Sequence, residues 1–407
     1  MAILNDVNDF DTELSERLAA LRAQGLYREL RRVDTPQTPR IRIGGETLLN
    51  FSSNDYLGLA NEPAIKEAAI KAIEQYGAGA GASRLICGSL APLHELEATL
   101  ASFKGTEAAL TFSTGYATAL GTLCALMGKD DIVVLDKLVH ACIVDAARLA
   151  GAKLRVFAHN DLNDLEDILK WADERGRKSK IKNQKSQILI VTESIFSMDG
   201  DHAPLRDLVA LKEKYGAWLM VDEAHATGLY GKNRRGLAEE QGVSRQIEIQ
   251  MGTLGKAAGA SGGFVCGSRA LIDFLINRAR SFIFSTAPVP AAAAAAAAGI
   301  RFIQSQAGEQ RRHSLWERVS EFASHLAPCT SSLAGAIIPI LIGDETKAVE
   351  AAAALREQGI FVPAIRYPTV ARGAARLRVT LTATHTAEDI RRLGEALARL
   401  QLVNRES

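Results

Sequence analysis

The chain has 407 residues, 47% of them apolar and 23% charged, which fits a globular protein of two to three domains and excludes wholesale disorder, collagen-like repeats and coiled coil. Lys plus Arg number 48 and Asp plus Glu 47, a net charge of +1 that argues against a nucleic-acid-binding surface but leaves room for a local basic pocket. The cysteines Cys87, Cys124, Cys142, Cys266 and Cys329 are odd in number, scattered and without CxxC spacing, so reduced thiols are expected, with no disulfide framework and no metal site.

The N-terminal stretch carries Asp6, Asp9, Asp11, Glu13 and Glu16 and lacks the basic start and apolar run of a secretory signal. Residues 14–32 place apolar side chains at helical spacing among arginines, which predicts an amphipathic helix. A proline-punctuated linker, Asp34-Thr-Pro-Gln-Thr-Pro39, leads into a short strand pair around 41–49. From about residue 50 short Val- and Ile-rich runs alternate with helix-length stretches: 108–112, 131–135, 153–157, 188–191, 218–221, 247–251 and 263–266. That alternation predicts an α/β fold with a mostly parallel, doubly wound seven-stranded sheet flanked by helices. The last run follows its predecessor closely, so one strand is open to an antiparallel or hairpin placement. The most apolar window, 287–300, is too short to span a bilayer, and its alanines after Pro288 and Pro290 predict a helix start. Runs at 335–341, 361–365 and 376–381 read as three strands of a smaller α+β domain that ends in a helix over 387–402. The expected domains are 1–50, a helix and short strands packing with the small domain; 51–290, a large domain; and 291–407, the small one. A soluble, cytoplasmic protein is expected, with no membrane or nucleic-acid partner.

The segment Gly77-Ala-Gly-Ala-Gly-Ala-Ser83 formally matches a dinucleotide fingerprint. It follows a predicted helix over 63–76, whereas the fingerprint needs a strand before it and a helix after it. A flexible backbone loop near a ligand or a partner chain fits better.

Four features fall at the C-terminal ends of predicted strands, where open α/β sheets bind ligands. Val221-Asp-Glu-Ala-His225 ends a strand with an aspartate, costly there unless a cation meets it. Thr253-Leu-Gly-Lys-Ala257 embeds Lys256 among small residues, a setting that lowers an amine's pKa toward that of a Schiff-base lysine. Phe112-Ser-Thr-Gly-Tyr116 runs from a strand into a helix whose first amides can hold a phosphate. His140 follows the 131–135 strand. Singly, each has a plainer explanation: a surface lysine, a satisfied histidine, a capping aspartate. Together they supply an acid for a pyridinium, an amine for an aldehyde, a phosphate cradle and an aromatic plate, the requirements of pyridoxal 5′-phosphate (PLP).

Asn50-Phe-Ser-Ser-Asn-Asp-Tyr-Leu-Gly58, Phe196-Ser-Met-Asp-Gly200, Asp222-Glu-Ala-His225 and Thr253-Leu-Gly-Lys256 resemble the α-oxoamine synthases, fold-type I PLP-dependent transferases that condense an amino acid with an acyl thioester and lose CO2. The resemblance runs from about residue 21 to the C-terminus. Phe157-Ala-His-Asn-Asp161, Ala364-Ile-Arg-Tyr-Pro-Thr-Val370 and Ala375-Arg-Leu-Arg-Val-Thr-Leu381 point to members that join L-alanine to a pimeloyl thioester, carried on CoA or an acyl carrier protein. Members that join glycine to an acetyl group would share every cofactor residue, and a non-catalytic PLP-fold protein would be expected to lack Lys256 or Asp222.

The resemblance implies roles by position. Lys256 would bond to the cofactor aldehyde and move the Cα proton. Asp222 would pair with the pyridine nitrogen, His225 and Ser197 would bond near the phenolic oxygen, and His140 would stack on the ring and border the substrate. Gly115, Tyr116 and Thr253 would hold the phosphate, and Glu193 would support the site. Arg378 would bind the amino-acid carboxylate with Asn54 nearby. Arg28 and Thr369 would contact the acyl substrate. Ser285 or Thr286 would reach the phosphate of a second subunit, which implies a homodimer with a shared site.

Overall fold

The structure, a computed structural model, describes residues 9–178, 186–326 and 335–402. Cys329 lies outside them.

The chain opens with the helix Asp9–Ala23, followed by β1 (Arg40–Ile43) and β2 (Glu46–Asn50), an antiparallel pair. The helix predicted to run to residue 32 stops at Ala23. Gly25, at φ +64°, takes the left-handed conformation that closes a helix, and its amide bonds the Arg22 carbonyl. Arg28 therefore sits beyond the helix, in an irregular segment, and not on it.

The central sheet holds β3 (Ala108–Phe112), β4 (Ile132–Asp136), β5 (Lys153–Phe157), β6 (Ile188–Glu193), β7 (Trp218–Asp222), β8 (Ile249–Thr253) and β9 (Gly263–Gly267). Their spatial order is β3-β9-β8-β7-β6-β4-β5. Six strands run in one direction: β5, β4, β6, β7 and β8 pair in parallel, and β3 shares their direction across β9. β9 lies antiparallel to both β8 and β3, the placement that its closeness in sequence left open. The runs are continuously apolar because successive side chains serve opposite faces and both faces are covered. Ile132, Val134, Ile190, Leu219 and Val221 join one core cluster, and Val133, Leu135, Leu189, Val191 and Met220 join the other.

The C-terminal part adds β10 (Ile337–Gly343), β11 (Ile360–Phe361), β12 (Ala364–Ile365) and β13 (Ala375–Thr380), then the helix Ala387–Arg399. The single strand expected over 361–365 is two. β11 pairs with β2, whereas β12 pairs with β13 in a separate β10-β13-β12 sheet. Pro363 lies between them and has no amide to give to a ladder.

The alanine-rich helix spans Pro290–Gln304 and packs against the helices Pro63–Tyr76 and Ala91–Lys104. Its small side chains do more than favour helix. A Cβ on Gly299 would stand 2.1 Å from the Ala258 carbonyl oxygen, so this helix presses directly on the loop that carries Lys256. From the other side, a Cβ on Gly259 would lie 2.4 Å from the Leu59 backbone. Among the described residues, no helix is long and apolar enough to cross a membrane.

Candidate active site

Lys256 lies in the tight connection between β8 and β9, directly after the strand end at Thr253. Its Nζ is 2.7 Å from His225 Nε2, and His225 Nδ1 is 2.5 Å from the Tyr56 hydroxyl. Burial pushes the Lys256 ammonium below its ordinary pKa, against the opposing charges of Asp222 and Glu193. Burial also drives His225 well below 6.5, helped by the cations Lys256 and Arg378, so its ring is neutral. Burial raises the Tyr56 phenol to about 12, so it is a hydroxyl that can donate.

Two acids face this lysine. Asp222 ends β7, and its Oδ1 accepts the Ala224 amide at 2.9 Å. Burial raises its pKa, with Lys256 pulling the other way. Glu193 ends β6, and its Oε2 accepts the Ser197 amide at 3.1 Å. Its Oε1 is buried with no hydrogen-bond partner. Burial, reinforced by the Asp222 charge, raises Glu193 to about 8. Parallel strands put their C-terminal ends on one edge, which is how two acids from separate strands come to share one lysine.

Arg378 arrives from the smaller sheet, on β13. Its Nε donates to the Ser197 carbonyl at 2.6 Å, and its Nη1 donates to Asn54 Oδ1 at 3.1 Å and to Thr380 Oγ1 at 2.8 Å. Its Nη2 is buried and has no partner. His140 caps the helix Ala141–Ala150, its Nδ1 accepting the Cys142 amide at 3.2 Å, with the Cys142 sulfur 3.0 Å away. Burial lowers the His140 pKa and raises that of the Cys142 thiol to about 12.

A second feature adjoins the cluster. The helix Gly115–Leu126 starts against the ends of β8 and β9, with Thr114 as its N-cap accepting the Ala117 amide at 3.0 Å. A Cβ on Gly115 would lie 3.8 Å from Thr253 Cβ, and one on Gly263 would lie 2.8 Å from Gly115 N. The Thr253, Met251 and Thr118 side chains border this corner, and the two glycines let the helix start lie close to the strand ends. The free amides of Gly115 and Tyr116 make it suited to an anion. The Tyr116 side chain turns away and donates to Asp145 Oδ2 at 2.9 Å.

The structure thus gathers Lys256, Asp222, His225, His140, Glu193, Ser197, Arg378 and Asn54, with Gly115, Tyr116 and Thr253 beside them. Arg28 meets Thr369, Nη2 to Oγ1 at 3.5 Å, on the exposed surface. Ser285 and Thr286 belong to a segment that pairs elsewhere: Thr286 is exposed and bridges Ser83, at the end of the glycine-rich loop. Tyr56 was not singled out in the sequence, although it falls inside the 50–58 motif two residues after Asn54. Thr380, which steadies Arg378, carried no signal of its own.

The set fits PLP on the structure's own terms. Asp222 is a buried acid that lacks a close cationic partner, and a protonated ring nitrogen would be one. Arg378 Nη2 is a buried donor without an acceptor, and a substrate carboxylate would be one. Gly115 leaves the start of its helix bare beside Thr253, where a phosphate would meet the first backbone amides, and Gly263 lets that helix start lie close against β9.

Comparison with known proteins agrees with this chemistry. The family model for aminotransferase class I and II matches residues 46–397. The 8-amino-7-oxononanoate synthase of Geobacter sulfurreducens is 46% identical over 390 residues, covering 95% of this chain and 97% of that protein. That of Symbiobacterium thermophilum is 43% identical, covering 97% of each. Among solved structures, serine palmitoyltransferase from S. paucimobilis with bound PLP and myriocin superposes with a TM-score of 0.87 at 29% identity, covering 99% of this chain and 100% of that one. The 8-amino-7-oxononanoate synthase of Francisella tularensis superposes at 0.72 with 29% identity, covering 87% of this chain and 98% of that one. On the family match and on identity sustained over almost the full length of both partners, the chain belongs to the aminotransferase class I and II family.

Proposed function

We propose that this chain is an α-oxoamine synthase that condenses L-alanine with a pimeloyl thioester to give 8-amino-7-oxononanoate, CO2 and the free thiol carrier, a step of biotin biosynthesis. One observation carries the reading: the Lys256–Asp222–Glu193–Arg378 cluster occurs in a chain 43–46% identical to 8-amino-7-oxononanoate synthases over nearly its whole length. The cofactor is PLP.

The phosphate would rest on the amides at Gly115 and Tyr116 and near Thr253, the ring nitrogen on Asp222, and the ring face against His140. When bound, PLP supplies an aldehyde that takes up the amino group of alanine and a protonated ring that accepts the electron pairs released at Cα. Lys256, held toward its neutral form by burial, would take the Cα proton and later return one. The neutral His225, anchored by Tyr56, fixes where the Lys256 nitrogen points. Ser197 is held by its amide to Glu193 and by its carbonyl to Arg378, and would bond near the phenolic oxygen. The free Nη2 of Arg378 would hold the alanine carboxylate until it leaves as CO2. The new bond joins alanine Cα to the acyl carbon as the C–S bond breaks.

The proposal extends to a cytoplasmic homodimer whose sites are shared, with Ser285 or Thr286 serving the partner's phosphate. The exposure of Phe284 and Thr286 supports it, since that surface is free in the single chain. Arg28 and Thr369 would meet the distal end of the acyl chain.

The test supplies purified protein with L-alanine or glycine and a series of acyl thioesters. Each methylene buried in an apolar channel is worth about 0.8 kcal/mol. Four more than acetyl therefore give about 3 kcal/mol, or about 100-fold in kcat/KM. Pimeloyl with alanine should lead by that order. Faster turnover of acetyl-CoA with glycine would replace this substrate assignment with that of a glycine C-acetyltransferase.

A further inference from the structure

The segment Phe157-Ala-His-Asn-Asp161 has no part in the chemistry above. His159 follows β5, and its ring stands between two carboxylates. Nδ1 is 3.0 Å from Asp136 Oδ1, and Nε2 is 2.7 Å from Asp201 Oδ2. Asp136 ends β4, has a fully buried side chain and begins the turn to His140; its Oδ1 also accepts the Leu138 amide at 2.8 Å. Asp201 closes the loop after β6, the loop that contains Ser197 and Asp199. In that loop the Asp201 carbonyl accepts the Phe196 amide at 3.1 Å, and the Phe196 ring meets the His159 ring edge-on at 4.3 Å.

Asn160 repeats the bridge beside it. Its backbone sits at φ +55°, a left-handed conformation that is uncommon for a residue with a side chain. This directs its amide to Asp136 Oδ2 at 2.9 Å, while its side-chain nitrogen reaches Asp201 Oδ2 at 3.1 Å and the His202 carbonyl at 3.1 Å. Two consecutive residues thus tie the same two loops together. One loop ends in the histidine that would lie on the cofactor ring. The other holds Ser197 and, through its carbonyl, Arg378.

We propose that His159, as an imidazolium shared by Asp136 and Asp201, is a positioning residue that sets the separation of the His140 loop from the Ser197 loop and so the fit of the cofactor ring between them. The inference rests on the PLP reading of the site. The charged groups facing the ring are Asp136 from the end of β4 and Asp201 from the β6 loop, with Asn160 and Phe196 completing its surroundings. Burial favours the neutral ring, but hydrogen bonds and charge from both acids outweigh it and raise His159 to about 10. A histidine raised in the folded state contributes fully below its unfolded value of about 6.5, and that contribution fades as pH rises through the folded value. The clamp is therefore closed at neutral pH and opens as pH rises through about 10.

The test uses full-length protein and two variants, His159→Gln and Asp201→Asn. The first readout is the titration of His159 in cofactor-free protein by nuclear magnetic resonance, which does not depend on PLP. Wild type should titrate above pH 8, and Asp201→Asn should bring the midpoint down by at least about one unit. The second is PLP affinity against pH. His159→Gln should weaken it about tenfold at pH 7, the order for losing a hydrogen bond to a charged group. Asp201→Asn should shift the alkaline loss of affinity to lower pH by the amount seen in the titration. A His159 midpoint near 6.5 overturns the proposal. So does a variant that loses only thermal stability and keeps the wild-type affinity profile. Should His159→Gln fail to fold, the Asp201→Asn shift decides alone. Failure of wild type to bind PLP at all would contradict the cofactor reading instead, and the titration would still report on the clamp.

Discussion

At the end of β7 two consecutive acids meet opposite surroundings. Glu223 is paired on every side: Lys104 Nζ lies 2.6 Å from its Oε2, and the Ala238 amide donates to Oε1 at 2.9 Å. Lys104 in turn donates to Thr227 Oγ1 at 3.3 Å and to the Arg235 carbonyl at 2.5 Å, and both side chains are fully buried. Asp222, one residue earlier, has an amide bond but no close cation, and its neighbour Glu193 keeps a bare buried oxygen. The first region is a finished structural joint. The second is a set of polar groups left short of partners, with pKa values displaced accordingly. Burial alone does not separate structure from function here; satisfaction does.

The sharpest break between the two regions should come from their lysines. Lys256→Ala should lower the condensation rate about 10,000-fold, near the top of the range for a positioned acid–base group, while the unfolding midpoint stays at the wild-type value. Lys104→Ala should act the other way round. It should lower the unfolding free energy by about 3–5 kcal/mol, the cost of leaving one buried charge alone. Denaturant titration and a steady-state assay on both variants separate the regions, and equal stability losses would erase the distinction.

The acids give a milder contrast. Asp222→Asn should leave the cofactor-free protein as stable as wild type or more so, because it removes a buried acid whose desolvation outweighs the attraction of Lys256, yet PLP should dialyse out of it readily. Glu193 offers a pH signature. Its pKa is raised, so the folded state holds the proton more tightly than the unfolded state does, and stability falls as pH climbs from the ordinary glutamate range through about 8. In cofactor-free Glu193→Gln that slope should flatten, whereas in Glu223→Gln it should persist; unfolding midpoints from pH 4 to 9 read both.

The smallest expected effect lies outside both regions. Arg28→Ala should lower kcat/KM for the pimeloyl thioester about tenfold, with little change for acetyl, as for loss of one hydrogen bond to a charged end group.

Much of this arrangement was legible in the sequence, for a physical reason. The strands read as unbroken apolar runs because both faces of the sheet are covered. Asp222, Lys256 and Gly115 stood out because each breaks a local rule, as an acid at an apolar strand end, an amine among alanines and glycines, or a strand that enters a helix through glycine. What stayed hidden depends on partners far apart in the chain. Tyr56 meets His225 across 169 residues, and Lys104 meets Glu223 across 119. Neither partnership has a local pattern, and Glu223 shows in the sequence only as a member of the Asp222–His225 motif. The early stop of the first helix at Gly25 and the division of the 361–365 strand at Pro363 depended on single residues that a reading by apolar spacing passes over.

The central claim is that Lys256 is the amine that meets the cofactor. Borohydride reduction of the PLP-loaded protein, followed by proteolysis and mass spectrometry, tests it directly. The account predicts a phosphopyridoxyl group on the peptide containing Lys256 and on no other lysine, with none in Lys256→Ala. Labelling of Lys104, Lys137 or another lysine at comparable yield, or no label on a protein that still turns over, would contradict it.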